Sequence, residues 1–171
     1  TTLFRSTLLL LYVALAIGVS FLCSIMEAVV LSVTPTYLAS IREQRPGIEH
    51  QLRRFKENID KPLAAILSLN TIAHTVGAAG AGAQAARVFG NAWLGLFSAL
   101  LTLAILFLSE IIPKTIGAVY WRQLAPEVTR LLAWLAVPMM PLVWLSSLAS
   151  RAISSSHNPV HVSRDEIRAL A

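Results

Sequence analysis

The sequence predicts an all-α integral membrane protein with three transmembrane helices. It also predicts a proline-kinked juxtamembrane or re-entrant helix, and a cytoplasmic pair of short helices between the first two spans. Hydrophobic residues make up 56% of the 171-residue chain and charged residues 13%, whereas soluble domains carry about 25% charged residues. Four long apolar segments support the same class, and Pro138 and Pro141 interrupt the last of them.

The four apolar segments define the predicted helices, because each provides the ~20 residues that a membrane crossing needs. They cover residues 7–33, 62–86, 92–112 and 128–149. The first is too long for the apolar core of a signal peptide, which holds about 7 to 15 residues, so we expect a retained spanning helix.

The segment between the first two spans, residues 34–61, carries six Lys or Arg residues. Pro46 and Gly47 divide it into two helix-like pieces. Positive charge concentrates on the cytoplasmic side of membrane proteins, so we expect this helix pair in the cytoplasm. The loop at residues 87–92 carries only Arg87 and is expected outside, as is the N-terminus.

The last apolar segment is expected to turn back rather than cross. Its two prolines lie in mid-run, and a proline inside a helix removes a backbone hydrogen bond and kinks the helix. A crossing would also carry Arg151, Arg164 and Arg168 outside, against the charge rule. We therefore expect a multi-pass protein of the cell membrane with a cytoplasmic C-terminus, and a plain fourth crossing is the alternative.

Two regions are expected along the chain: a transmembrane domain over residues 1–150 and a cytoplasmic linker over residues 151–171. Ser163 and Glu166 form a capping box, which is typical of a helix start. We expect that helix to lead into a cytoplasmic domain absent from this sequence. The net charge of +5 indicates membrane orientation, because no basic stretch with interleaved aromatic residues suggests nucleic-acid binding.

Two acids lie in or against the apolar segments, Glu27 and Glu110. A charged side chain in hydrocarbon is costly, so each is a candidate functional residue. Ser20, Ser24 and Glu27 share one stripe of the first helix. Such a row of oxygens is expected to face the protein interior or an aqueous cavity, although each serine can instead bond its own helix carbonyls.

The second segment adds amide, hydroxyl and imidazole groups. Asn70, His74 and Gly77 share a helical face, whereas Ser68 lies roughly 200° from Asn70 around the helix. Ser68 and Asn70 can therefore meet one ligand only if the helix loosens or if one contributes its backbone. Gly77 and the small residues after it favour close helix packing. His74 is interpreted as a hydrogen-bonded packing residue, because no second histidine or cysteine stands near it.

Glu110 precedes a proline, and this arrangement predicts an ion site. Pro113 has no N–H, so the carbonyl of Ser109 loses its helical partner, and Gly117 permits further irregular backbone. Irregular backbone at membrane depth lines cavities or binds ions, so the carboxylate and the freed carbonyls are expected to share a cation. The alternative is a Glu110 side chain that reaches the membrane surface beside Lys114.

The candidate ligands are all oxygens. Oxygen sites without sulfur or imidazole favour Mg²⁺, Ca²⁺ or Na⁺ over zinc or copper. The pooled set comprises Ser24, Glu27, Ser68, Asn70, Glu110 and backbone carbonyls.

Two motifs resemble the CNNM/CorC family of magnesium transporters. "SIMEAVVLSV" at residues 24–33 resembles the family's S-x-x-E-x-x-x-x-S pattern. "LSEIIPKTIG" at residues 108–117 resembles its G-E-I-x-P-K-x-x-G signature, with Ser109 in place of the usual glycine. The second motif is specific, the two in this order are more so, and the resemblance covers essentially the whole chain.

The resemblance implies a homodimeric transmembrane domain, which full-length members follow with a cytoplasmic pair of CBS domains. It also implies Mg²⁺ export in exchange for Na⁺. By position, the implied ion-coordinating set is Ser24, Ser68, Asn70 and Glu110. Gly117 would contribute its carbonyl, and Glu27 matches the motif but leaves direct ligation open.

We expect a transporter domain that binds Mg²⁺ near the middle of the membrane and exposes it to one side at a time. Helix breaks around Ser24 and Pro113 are the expected moving parts. A Mg²⁺-responsive membrane scaffold or regulator of another transporter is one alternative, and a passive pore is another. We expect no enzyme, because the sequence has no H-E-x-x-H motif, histidine pair or paired aspartates to support an intramembrane hydrolase.

Overall fold

The computed structural model describes residues 2–154, which form helices joined by short turns. In chain order these are α1 (Thr2–Ser32), α2 (Pro35–Ile41), α3 (Pro46–Glu57), α4 (Asp60–Phe89), α5 (Leu94–Ala104), α6 (Ile112–Ala136) and α7 (Met140–Ser154). A 3₁₀ turn (Asn91–Trp93) precedes α5, and a π-helical segment (Ile105–Ile111) joins α5 to α6. The predicted all-α class is confirmed.

Three stretches of the described chain are long and apolar enough to cross a membrane: Arg5–Ser32, Asp60–Phe89 and Asn91–Ala136. The third combines α5, the π-helical segment and α6, and α6 bends at Tyr120 (φ −100°, ψ 17°). The 15 described residues of α7 reach about 22 Å at 1.5 Å per residue, short of the ~30 Å hydrocarbon core. Three crossings are therefore found, as predicted.

The last apolar segment is two helices rather than one. α6 and α7 lie on either side of a turn that holds Pro138, which confirms the predicted proline break. α7 continues to Ser154, past the domain boundary expected at residue 150. The predicted capping box of Ser163 and Glu166 lies outside the described residues.

The short helices predicted between the first two spans are α2 and α3, and α3 begins at Pro46. The Thr34 side chain caps the first turn of α2. The Lys56 ammonium of α3 donates to the carbonyls of Val30 at 3.4 Å and Leu31 at 3.5 Å. A cation at these unpaired C-terminal carbonyls stabilises the end of α1 and fixes α3 against it.

α1 and α4 pack closely and run antiparallel. A Cβ built on Gly77 would lie 3.0 Å from Ala16 Cα, and one on Gly80 would lie 2.7 Å from Tyr12 Cγ. Gly82 faces open space by the same measure. Later residues of α4 therefore contact earlier residues of α1, as in an antiparallel pair, and small residues allow the close approach.

The third crossing runs parallel to α1 on another of its sides. A Cβ built on Gly117 would lie 2.8 Å from Ala28 Cβ and 3.0 Å from the Ile25 carbonyl oxygen. α1 is thus the central helix of the bundle. The main apolar core lies towards the α2–α3 end, where the fully buried side chains are Val29, Val30, Leu52, Ile66 and Leu132.

Candidate functional site

Polar groups of the three crossings converge at the π-helical segment. The Ser24 hydroxyl donates to the carbonyl oxygen of Ser109 at 2.7 Å, and the Ser20 hydroxyl reaches the same oxygen at 3.5 Å. All three serines are buried. The row of serine oxygens predicted on α1 therefore faces the interior of the bundle and bonds the third crossing.

Pro113 removes the α-helical donor of this carbonyl, which accepts a hydroxyl from another helix. Proline has no N–H, so the oxygen of Ser109 lacks its usual partner four residues on, and π-helical turns in proteins often mark functional sites. The same arrangement recurs in α6, where Pro126 removes the N–H opposite the Arg122 carbonyl and the Tyr37 hydroxyl donates to that oxygen at 3.1 Å. The carbonyl that sequence reasoning expected at the site is thus held by α1.

His74 of α4 contacts α1 and lies beside the third crossing. Its Nε2 lies 2.6 Å from the Ser20 hydroxyl, and its Nδ1 lies 3.9 Å from Glu110 Oε1. The sequence predicted a hydrogen-bonded histidine here but not its position beside Glu110. The sequence offered one indication of this position, because His74 lies one helical turn from Asn70 on the same face of α4.

Asn70 carries a buried oxygen without a partner. Gly77 lies against Ala16 and His74 against Ser20, so one more turn along these antiparallel helices places Asn70 level with Ser24. Its Oδ1 is buried and accepts no hydrogen bond from any described residue. Because an unsatisfied buried polar atom costs about 1–3 kcal/mol, this oxygen is available to accept a bond from water or to coordinate an ion.

Glu110 has no fixed counter-charge among the described residues. Lys114, four residues on, instead forms an ion pair with Glu27 at 3.2 Å. Among the described residues, the group within ion-pair distance of Glu110 is His74, which is charged only when protonated. Lys114 therefore pairs with Glu27 rather than with Glu110 in this structure, and the alternative that Glu110 reaches the membrane surface stays a prediction.

The site lies away from the ends of the candidate spans. Asn70 follows the start of the second span at Asp60 by ten residues, and Glu110 follows the start of the third span at Asn91 by 19 residues. Ten residues are about 15 Å of helix, so neither residue lies at the boundary of its span. An acid at this depth is expensive unless something neutralises it.

Three other predicted ligands lie in different surroundings. Ser68 is half-buried on a continuous part of α4, so its side chain points roughly 200° away from that of Asn70. Gly117 packs against α1, and Glu27 is held by Lys114. These contacts do not join Ser68, Gly117 or Glu27 to Asn70 or Glu110, and their roles as ligands stay predictions.

The Lys114→Gln variant should destabilise the bundle by about 1–3 kcal/mol, because it leaves the largely buried Glu27 carboxylate without its partner. The Glu27 side chain is 20% exposed and that of Lys114 is 45% exposed. The measurement is the thermal unfolding midpoint of the detergent-solubilised protein.

The double variant Glu27→Gln/Lys114→Gln should recover most of this loss. Arg130→Gln, which removes the partner of the exposed Glu127, should change the midpoint little. Strictly additive effects of the Glu27 and Lys114 substitutions would show that the pair contributes nothing.

Comparisons with known proteins place the chain among membrane proteins. It matches the family model of the cyclin M transmembrane N-terminal domain over residues 10–171. It is 30% identical over 152 residues to a UPF0053 protein of Synechocystis, covering 89% of this chain and 44% of that protein. It is 32% identical over 94 residues to the UPF0053 inner membrane protein YfjD of Escherichia coli, covering 55% and 22%.

A plant relative is also similar to this chain over most of the chain's length. The chain is 25% identical over 167 residues to a chloroplastic DUF21 domain-containing protein of Arabidopsis thaliana, covering 94% of this chain and 25% of that protein. The chain thus spans less than half the length of each of these relatives.

Proposed function

Because the chain belongs to the cyclin M (CNNM) transmembrane-domain family, we propose that it carries Mg²⁺ across the membrane through a site of oxygen ligands between its three crossings. One observation carries this proposal. Among the described residues, Glu110 has no Lys or Arg partner and lies beside His74, and Asn70, one turn before His74 on α4, carries a buried oxygen without a partner. A hard divalent cation would neutralise the first and coordinate the second.

The proposed ligands are the Ser24 hydroxyl, the Asn70 amide oxygen and the Glu110 carboxylate, with the Ser109 carbonyl beside them. Mg²⁺ prefers such oxygens and commonly keeps several waters. His74 would then orient the carboxylate of Glu110, because a residue that contacts a metal ligand fixes the orientation of that ligand.

The remaining candidates need local changes before they can join this set. Ser68 requires α4 to loosen or its own backbone to contribute. Gly117 requires its carbonyl to turn towards the ion while its Cα stays against α1. Glu27 requires the ion pair with Lys114 to open.

We assign the moving part of transport to the π-helical segment. A return of this segment to α-helical geometry would shift the register of Glu110 against α1 and break the Ser24–Ser109 hydrogen bond. The ion would then face one side of the membrane before the change and the other side after it, which is alternating access.

The proposal extends to Mg²⁺ export coupled to Na⁺ entry by a homodimer, as the family resemblance implies. In the most apolar 18-residue stretch of the third crossing, 6% of the residues are buried, compared with 28% and 22% in the corresponding stretches of the other two crossings, which leaves a face for a second copy. We further propose that the N-terminus lies outside, that α2 and α3 are cytoplasmic, and that α7 leads towards a cytoplasmic CBS-type domain. No enzymatic activity forms part of the proposal.

The Asn70→Ala variant tests the ion site separately from the fold. Because Asn70 Oδ1 has no partner among the described residues, its removal should not lower thermal stability without Mg²⁺. It should weaken Mg²⁺ binding roughly 10- to 100-fold, a range that loss of even an outer-shell partner reaches. The measurement is the rise of the unfolding midpoint with Mg²⁺ concentration, which reports affinity.

Gln84→Ala is the matched control, since Gln84 on the same helix also carries a buried oxygen without a partner. This variant should keep the Mg²⁺-dependent stabilisation of the wild type. Equal Mg²⁺ responses of Asn70→Ala and wild type would remove Asn70 from the site.

A further inference from the structure

A second site lies at the end of the bundle that carries α2 and α3, away from the proposed ion site. It is a cavity of about 580 Å³ between α3, the start of α4, the end of α6 and α7. This volume falls within the range of small-molecule sites, about 300–1,000 Å³. The cavity is amphiphilic, with a polar wall from α3 and α4 and an apolar wall from α6 and α7.

The polar wall is positively charged. Arg54 and Lys61 line the cavity, and the described residues that line it include no acid. Neither cation has an acid within ion-pair distance among the described residues. The acids next to them in sequence, Glu57 and Asp60, are exposed and lie outside the lining. The cavity therefore favours an anion.

The apolar wall excludes a purely polar anion as the matching ligand. Leu132 and Val143 line this wall together with the exposed side chains of Val137, Met140 and Trp144. A small hydrophilic anion held by the two cations would leave these side chains in water. An anion that carries a hydrocarbon chain would cover them and gain the free energy of apolar burial.

The depth of the cavity matches the headgroup level of a bilayer. Lys61 is the second residue of the second crossing, and Ala136 is the last residue of the third. Both line the cavity, so it lies where crossings begin and end. Basic pockets at this level between membrane helices bind anionic lipid headgroups.

We propose that this cavity binds an anionic phospholipid, whose headgroup phosphate contacts Arg54 and Lys61 and whose acyl chain lies along the apolar wall of α6 and α7. Electrostatic complementarity and the apolar wall together define the ligand. The site is independent of Mg²⁺ binding, and it joins α7 to the bundle through a lipid.

Two tryptophans provide a matched pair of reporters. Trp144 lines the cavity and is 64% exposed, whereas Trp134 is 73% exposed and lies outside the lining. Two forms of the whole protein each keep one of these reporters, with the other three tryptophans replaced by phenylalanine. Each form is titrated in neutral detergent with brominated phosphatidylglycerol or brominated phosphatidylcholine, and bromine quenches nearby tryptophan fluorescence.

Phosphatidylglycerol should quench Trp144 at a lower concentration than phosphatidylcholine, and the two lipids should quench Trp134 alike. Each cation contributes about fivefold to affinity, so Arg54→Gln/Lys61→Gln should raise the midpoint for phosphatidylglycerol about 25-fold. The control Arg42→Gln/Arg45→Gln removes two exposed cations that do not line the cavity, and it should leave the midpoint unchanged.

Several results would overturn the proposal. Equal midpoints for the two lipids at Trp144 would mean that the cavity does not select an anion. No quenching of Trp144 by either lipid would mean that protein covers the cavity. The same selectivity at Trp134 would indicate a general surface effect. Competition by glycerophosphoglycerol, which has no acyl chains, at the midpoint of the intact lipid would mean that the headgroup alone is the ligand.

Discussion

The Glu110→Gln variant should lose Mg²⁺ transport while the helical bundle stays folded. The substitution keeps the size of the side chain and removes the negative charge at the level of Asn70 and Ser24. At an effective dielectric constant of about 20, unit charges 4 Å apart attract by about 4 kcal/mol. Loss of this attraction should weaken Mg²⁺ binding on the order of 1,000-fold.

The fold should tolerate this change because Glu110 makes little structural contribution. Among the described residues, the group within ion-pair distance of its carboxylate is His74 Nδ1, at 3.9 Å, which is too far for a hydrogen bond. The Lys114–Glu27 pair and the Ser24–Ser109 hydrogen bond do not involve its side chain. An unfolding midpoint near that of wild type in the absence of Mg²⁺ would show this.

The measurement is Mg²⁺ flux in proteoliposomes, with and without a Na⁺ gradient. Wild type is compared with Glu110→Gln and with Asn70→Ala, and Glu127→Gln serves as the control. Glu127 is an exposed acid of α6 that pairs with Arg130, so its substitution should leave the flux unchanged.

The outcomes separate the proposed function from its alternatives. Wild-type flux in both Glu110→Gln and Asn70→Ala would contradict the site assignment. If the Glu110→Gln variant still performed the cellular function of the wild type, the protein would instead be a scaffold or regulator. An equal Mg²⁺ flux with and without the Na⁺ gradient would contradict Na⁺ coupling and favour a passive pore.

The Gly77→Ala variant should destabilise the protein by about 1–3 kcal/mol, because the added methyl group has no space at the α1–α4 contact. The new Cβ would overlap the Ala16 side chain and lie 3.0 Å from Ala16 Cα and 3.3 Å from the Tyr12 carbonyl oxygen. Backbone atoms cannot move aside without separating the two helices. The thermal midpoint in detergent should fall by roughly 2–10 °C.

Two further variants isolate the steric cause of this effect. Gly82→Ala lies on the same helix, where a new Cβ meets nothing within 4 Å, and it should be neutral or stabilising because alanine favours helix over glycine by about 1 kcal/mol. Ala16→Gly combined with Gly77→Ala should restore part of the lost stability. Equal midpoints for Gly77→Ala and Gly82→Ala would show that the two helices are not in tight contact.

Most of the fold could be predicted because local signals define it. Long apolar runs predict the three crossings, Pro46 predicts the division between α2 and α3, and Pro138 predicts the end of α6. The π-helical backbone around Glu110 was predicted only in part. Pro113 indicated a freed carbonyl, but no local signal showed that the segment Ile105–Ile111 would adopt π-helical geometry.

The candidate site was predictable in its residue types but not in its pairings. Lys114 is four residues from Glu110 in sequence, yet it pairs with Glu27 on α1. His74 reaches both Ser20 and Glu110, although helical spacing alone indicated only that it shares a face with Asn70. Partners on different helices depend on how those helices are aligned, and the sequence of one helix does not contain that information.

The amino-acid sequence by itself determined that this chain lies in a membrane, that three stretches are long and apolar enough to cross it, and which oxygen-bearing side chains lie in or against its apolar segments. These properties follow from the cost of exposing polar groups to hydrocarbon, which acts on each segment separately. The tertiary structure decided that Lys114 pairs with Glu27 and that, among the described residues, Glu110 has no lysine or arginine partner. That choice depends on the close approach of α1 to Gly77 and Gly117, because this contact sets the register in which the three crossings meet.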